Sequence, residues 1–147
     1  MSKTISYKGT LPIGEQDRIR LKTNSGKTGY KITKFQIIST TPGAANSELI
    51  GQIFKTDQTG SITSNVNFTD SDLLAVSQYH DANSTSYGFT EQVIFDNEKF
   101  NQDIFVNITD ISGSTAPANY YIELETTSLS DIEATMLTLQ SIRQVMS

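Results

Sequence analysis

Short segments of alternating apolar and polar residues follow one another along most of the chain. In "RIRLKT", residues 18–23, every second residue is apolar, and a period of two predicts a strand with one wet face. Seven further segments share β-branched or alternating character and are separated by turn-rich clusters. The predicted strands are residues 3–9, 18–23, 30–40, 49–55, 73–80, 91–96, 103–110 and 119–126. No helical pattern separates them, so parallel βαβ units are not expected. The predicted fold is mainly β, an antiparallel β-sandwich or jelly-roll-like body of about eight strands.

Three segments of this strand series do not show a simple strand pattern along their whole length. In "YKITKFQIIST", residues 30–40, the apolar phase shifts between Ile32 and Phe35, which predicts a bulge or a bend. The stretch "FTDSDLLAVSQ", residues 68–78, fits either a strand or a short capped helix, and the strand is favoured. The segment "TNSGKTG", residues 23–29, is predicted to be a hairpin loop, with glycines providing its tight backbone angles.

The Gly26-Lys27-Thr28 triplet in that loop matches the end of a nucleotide-binding P-loop. A P-loop also requires a glycine five positions earlier, where this chain has Leu21 inside an alternating strand. The motif must in addition lead into a helix whose amino terminus faces the phosphate, whereas "YKITKFQII" predicts a strand. Nucleotide binding is therefore not expected here.

The hydrophobic period changes to that of a helix near residue 128. The last twenty residues, "SLSDIEATMLTLQSIRQVMS", repeat apolar residues every three or four positions and contain no glycine or proline. Ser130 and Glu133 have the spacing of a capping box. We therefore predict a sandwich over residues 1–127 and a C-terminal amphipathic helix over 128–147. The helix either packs on its own sandwich or forms an oligomer interface, and the predicted interface residues are Leu129, Ile132, Met136, Leu139 and Ile142.

Charge and composition narrow the classes of partner. The formal net charge is −5, and the 11 lysines and arginines are scattered along the sequence. Nucleic acid and anionic membranes attract clustered basic residues, so neither is expected as a direct partner. The chain has no cysteine for disulfides or thiolate metal sites. No apolar run approaches the roughly 20 residues that span a bilayer, and "MSKTISYKGTLPIG" lacks the apolar core of a signal peptide.

The sequence offers weak candidates for catalysis or metal binding. His80 is the only histidine and has no nucleophile at a suitable spacing. Glu123 and Glu125 share one predicted strand face, as solvated acidic pairs commonly do. The acidic loops at 69–72 and 96–103 lack the spacing of an EF-hand. We therefore predict no enzyme activity, no catalytic or metal-binding residues and no cofactor.

The C-terminal third resembles a known class of proteins. Residues 100–143, "FNQDIFVNITDISGSTAPANYYIELETTSLSDIEATMLTLQSIR", resemble small virion structural proteins of marine tailed phages, namely head decoration, cement and minor structural proteins. Such sequences often end in a strand similar to "NYYIELE" and an acidic-capped helix ending in "IR". The resemblance implies a sandwich or jelly-roll-like body that binds a capsid or tail lattice in many copies, and it carries over no catalytic residues.

Two functions are left open by these patterns. The leading hypothesis is a non-enzymatic viral structural protein that self-associates, decorates a phage capsid or virion lattice, or does both. Its expected partners are the major capsid protein or other virion proteins and further copies of itself, and its expected location is the virion after assembly in the host cytoplasm. The alternative is a carbohydrate- or host-surface-binding module of a fibre or spike, with Tyr87 and Phe89 as the candidate surface-binding aromatics.

Overall fold

Eight strands and one helix form the protein in a computed structural model, which describes residues 3–21, 27–41, 47–81, 89–95, 99–112 and 116–146. The strands lie in two antiparallel sheets, which confirms the predicted sandwich-like β fold with a C-terminal helix. The elements are β1 (Lys3–Leu11), β2 (Gln16–Ile19), β3 (Thr28–Ser39), β4 (Ser47–Phe54), β5 (Leu73–Asp81), β6 (Phe89–Ile94), β7 (Ile104–Asp110), β8 (Ala118–Ser128) and α1 (Asp131–Met146).

The strand order results from nested pairing, so that the chain forms a long ribbon in which the first and last strands are neighbours. The three-stranded sheet has the order β1-β8-β3, and the five-stranded sheet has the order β2-β7-β4-β5-β6. The strands pair in a nested way, β1 with β8, β2 with β7 and β4 with β5. The spatial order β7-β4-β5-β6 of four successive strands is a Greek key, the unit from which jelly rolls are built.

The hydrophobic core lies between the two sheets. Alternate residues of β8 point inward, so Ala118, Tyr120, Ile122 and Leu124 are buried. They are joined in one cluster by inward residues of both sheets, including Phe35, Ile37, Leu49, Ile53, Ile104, Val106 and Ile108. Apolar side chains from two facing sheets thus form the single main core that a chain of this size requires.

The connection between β4 and β5 covers part of the outer face of the five-stranded sheet. The side-chain amide of Gln52 donates hydrogen bonds to the carbonyl oxygens of Thr63 (3.2 Å) and Asn65 (3.1 Å). A second apolar cluster forms next to this connection and contains Phe54, Leu73 and Val76, with Phe95 packed against them. The core therefore covers the inner face of the five-stranded sheet, and this connection covers part of its outer face.

The structure confirms some local predictions and corrects others. A register shift between Ile32 and Lys34 in β3 is the predicted irregularity, and residues 73–81 form a strand as favoured. Residues 23–26 of the predicted hairpin loop lie outside the described residues, but the predicted hairpin pairing was wrong, because β2 and β3 lie in different sheets. β2 pairs with β7 of the five-stranded sheet, whereas β3 pairs with β8 of the three-stranded sheet. The predicted strand at 18–23 is displaced to Gln16–Ile19.

Candidate functional site

The C-terminal helix begins with the capping arrangement that its sequence predicts. The Glu133 backbone N–H donates to Ser130 Oγ (3.2 Å), and the Ser130 N–H donates to Glu133 Oε1 (3.3 Å). Each side chain therefore satisfies a backbone donor that the first helical turn would otherwise leave open. Just before the cap, the Leu129 N–H donates to the Lys27 carbonyl (2.8 Å), which ties the start of α1 to the start of β3.

Leu129, just before α1, and Ala134 and Thr138 within it contact the sandwich. Leu129 and Ala134 are buried, and Leu129 packs on the backbone of Gly29, where a Cβ would be only 2.7 Å from its Cδ2. The side-chain amide of the buried Asn101 donates to the Ala134 carbonyl (3.3 Å) and to Thr138 Oγ1 (3.0 Å). The face of α1 that packs in cis is therefore largely not its apolar stripe.

The apolar stripe of α1 faces solvent. Ile132 is 74% exposed, Met136 is 56% exposed and Leu139 is 49% exposed. They lie four and three residues apart, so they share one side of the helix. Of the five predicted interface residues, Leu129 is buried within its own chain, and the side chain of Ile142 lies outside the described residues. We call Ile132, Met136 and Leu139 the helix stripe.

A groove opens on the sandwich between β3 and β6. Its volume is about 470 Å³, within the range of about 300–1,000 Å³ that is common for ligand pockets. Its described lining is mostly apolar, aromatic or amide-bearing, with Glu91 as the sole carboxylate. The lining residues are Phe35, Gln36, Ile37, Ile38, Ser77, Tyr79, Glu91, Gln92, Asn119, Tyr120 and Tyr121. Sequence reasoning missed this groove.

A tyrosine beside the groove links the two sheets. The Tyr120 hydroxyl donates to Asp17 Oδ2 (2.9 Å), joining β8 to β2. Burial and then the neighbouring Asp17 carboxylate raise the pKa of Tyr120 well above its usual value, since both disfavour the phenolate. Tyr120 is therefore a neutral hydrogen-bond donor with a structural role.

The aromatic residues predicted for sugar binding cannot be placed beside this groove. Tyr87 lies outside the described residues, and so does the side chain of Phe89, although the Phe89 backbone begins β6. The carbohydrate interpretation therefore stays a prediction.

The other polar candidates, His80, Glu123 and Asp103, each contact a different partner. His80 Nδ1 lies 3.5 Å from Glu48 Oε1, and Glu123 accepts a hydrogen bond from a tyrosine hydroxyl (3.4 Å). Asp103 binds Arg18 Nε (2.8 Å) and the Leu21 N–H (2.8 Å), which is a structural use of its carboxylate. Among the described residues, no three side chains of the histidine, cysteine and acidic types converge as a metal site would require.

Comparison with known proteins adds no family. The chain matches no protein-family model and no curated protein sequence. Over the described residues, no helix combines the length and the apolar character needed to cross a membrane. The helix stripe and the groove beside β3 are therefore the two surface features from which function is inferred.

Proposed function

We propose that this chain is a non-enzymatic structural protein of a phage virion, which associates with copies of itself and attaches to the capsid or another virion lattice. The observation that carries the proposal is the helix stripe, which a helix packed only on its own sandwich would bury. Its partners on this proposal are the major capsid protein or other virion proteins, and its location is the virion. The resemblance of residues 100–143 to virion structural proteins supports the same class.

The strength expected of one such contact is modest. Fully burying a leucine, isoleucine or methionine side chain contributes about 1.5–3 kcal/mol, and the helix stripe is about half to three-quarters exposed at each position. Part of that free energy offsets the lost rigid-body and side-chain freedom of the partners. A contact of this size is suited to repetition over a lattice, where effective concentration replaces single-site affinity.

The acidic surface is compatible with attachment in many copies. With a net charge of −5, free subunits repel one another, so the contact through the helix stripe has to overcome this repulsion at low salt. Added salt screens exposed charges and leaves apolar burial largely intact. Self-association through the helix stripe is therefore expected to strengthen as salt is raised.

The test is the absolute mass of the purified protein by light scattering over a range of concentrations, for the wild type and for two variants that each gain one negative charge. We expect a discrete oligomer for the wild type and a monomer for Leu139→Asp, because the new carboxylate would be buried in the contact. Ser61→Asp is the charge-matched control, since Ser61 is also exposed and lies outside α1, in the connection between β4 and β5. This control should retain the wild-type mass.

Two results would contradict the proposal. If the Leu139→Asp variant has the wild-type mass, the helix stripe is not the self-association interface. A wild type that is monomeric at every concentration, and that does not co-sediment with shells of the cognate major capsid protein, would refute both self-association and lattice attachment.

A further inference from the structure

The groove beside β3 lies at the one place where the nested strand pairing is not closed by backbone hydrogen bonds. The pairs β1–β8, β2–β7 and β4–β5 are hydrogen-bonded, whereas β3 and β6 are not partners in the described part of the chain. Among the described strands, β3 pairs with β8 alone and β6 pairs with β5 alone. In the described part of the chain, no strand is paired with the outer edge of β3 at residues 35–38, which line the groove.

The direction of the free backbone groups follows from two observed bonds. Tyr30 exchanges both of its backbone hydrogen bonds with Phe100, so its N–H and C=O point away from β8. Beyond the register shift, the Phe35 N–H also points away from β8, toward the groove. Because the bonding side alternates along a strand, the N–H and C=O of Ile37 and Ser39 face the same open side. Among the described residues, nothing bonds to these groups.

A side chain of β6 occupies the first of these positions. The Phe35 N–H donates to Gln92 Oε1 at 2.9 Å, so an amide oxygen is placed where the carbonyl of an adjacent strand would be. Gln92 thus caps one donor of the open edge and leaves the next residues of β3 uncapped. An unpaired edge of this kind is a template for another extended chain.

Lysines lie along β1 and along the first half of β3, but none lies in residues 35–39 of β3. β1 carries Lys3 and Lys8, and the first half of β3 carries Lys31 and Lys34, which are the kind of residue that discourages strand addition. The segment "FQIIS", residues 35–39, has no charge. Its outward side chain Ile38 is 44% exposed, which adds apolar contact area next to the free backbone.

We propose that the groove binds an extended segment of a partner polypeptide, which adds as a strand beside residues 37–39 of β3. Three residues of such a segment span about 10 Å, and their backbone would exchange hydrogen bonds with Ile37 and Ser39. Glu91 is the sole charged side chain of the described lining, so the preferred segment is uncharged or basic with small β-branched side chains. This site is separate from the helix stripe, and it stands whether or not the chain belongs to a virion.

The probe is a capped hexapeptide in which two valine–threonine repeats are flanked by lysines, titrated into the full chain. The readouts are the NMR resonances and the hydrogen exchange of the Ile37 and Ser39 amides. Two further peptides are methylated on the backbone nitrogens of both valines or of both threonines, which lie on opposite edges of an extended chain. Methylation removes a donor and keeps the side chain, so only the peptide methylated on the edge that faces β3 should lose affinity.

We expect saturable shifts and slowed exchange at both amides with the parent peptide. One methylated peptide should bind like the parent, and the other should bind about tenfold or more weakly, because two backbone hydrogen bonds are lost. Gln92→Ala should bind the parent roughly two- to tenfold more tightly, since it frees the Phe35 N–H for the added strand.

Several results would overturn the proposal. The first is an absence of any saturable change at the two amides, and the second is equal affinity for both methylated peptides, which would mean that side chains alone are bound. The third is a stronger response to maltohexaose than to the parent peptide, which would assign the groove to carbohydrate. None of these results depends on the oligomeric mass of the protein. Failure of the peptide-binding proposal is therefore distinguishable from failure of the helix stripe as an interface.

Discussion

Gly51 of β4 allows β3 to lie close to the five-stranded sheet, and a single methyl group there should push the sheets apart. An added Cβ would lie 2.9 Å from Phe35 Cζ and 3.1 Å from Ile37 Cγ2, whereas carbon atoms prefer about 3.5–4.0 Å. Phe35 is fully buried and Ile37 is 4% exposed, so neither side chain can move outward into solvent. Gly51→Ala must therefore strain the core.

The magnitude follows from two opposing effects. Overpacking a filled core costs typically about 1–3 kcal/mol. Removing a glycine from a strand interior returns about 0.5–1 kcal/mol, because the unfolded chain loses less freedom on folding. From the midpoints of these two ranges, we expect Gly51→Ala to lower the free energy of unfolding by about 1 kcal/mol, which corresponds to a drop in Tm of roughly 2–4 °C. Urea unfolding followed by far-ultraviolet circular dichroism measures the difference.

A double-mutant cycle with Phe35→Leu tests the stated cause. Leucine lacks the Cζ atom that the new methyl group meets first, so Gly51→Ala should be less destabilising in the Phe35→Leu background than in the wild type. We expect a coupling free energy of at least about 0.5 kcal/mol, since residues in contact are not additive. An alanine variant as stable as the wild type, or additive effects of the two substitutions, would refute the close contact as the reason for glycine at this position.

Two further predictions concern titratable groups. Tyr120→Phe removes the bond to Asp17 and should lower the free energy of unfolding by about 1–2 kcal/mol at neutral pH. Since the pKa of Tyr120 is raised in the folded chain, this difference should shrink as the pH rises above 10, where the unfolded tyrosine ionises. For Asp57, the hydrogen bonds from the Thr59 side chain, Gln16 and the Thr59 N–H lower the pKa from 3.8 to about 2. Asp57→Asn should therefore be less stable than the wild type above pH 4, and the difference should fade as the pH falls toward 2.

Unfolding curves at several pH values check both predictions. A Tyr120→Phe difference that stays constant from pH 8 to 11 would contradict the assigned role of the phenol. An Asp57→Asn difference that grows on acidification would have the wrong sign, because the bonded carboxylate contributes only while it is ionised.

The sequence predicts the elements of this fold better than their pairing. The periodicity of residues 119–126 and the phase shift after Ile32 are local properties, and both are present in β8 and β3. Which strands become neighbours depends on residues far apart in the chain. The segment 23–29 looks like a hairpin loop because two strand patterns flank it, yet those strands pair with β7 and β8 near the other end of the sequence.

The same limit applies to the candidate sites. The stripe pattern shows which side of α1 is apolar, and the structure shows that another side packs in cis, through Ala134 and Thr138 on Asn101. No local signal marks Asn101 as that partner, because it lies in the connection before β7. The groove was equally invisible, since "FQIIS" reads as an ordinary strand and only the positions of β6 and β8 show which edge of it is open.

The nested ribbon has a consequence for how each copy is made. Lys3 of β1 pairs with Thr126 of β8, so the first strand waits for nearly the whole chain before its partner exists. At about 5–20 residues per second of synthesis, that wait is roughly 6–25 s. A pairing so distant in sequence also implies slow folding after release, because the entropy of closing the chain is lost before the contacts form. The lysines of β1 then act twice, once at the finished edge and earlier on the nascent chain, where they discourage newly made copies from aggregating through an unpaired strand.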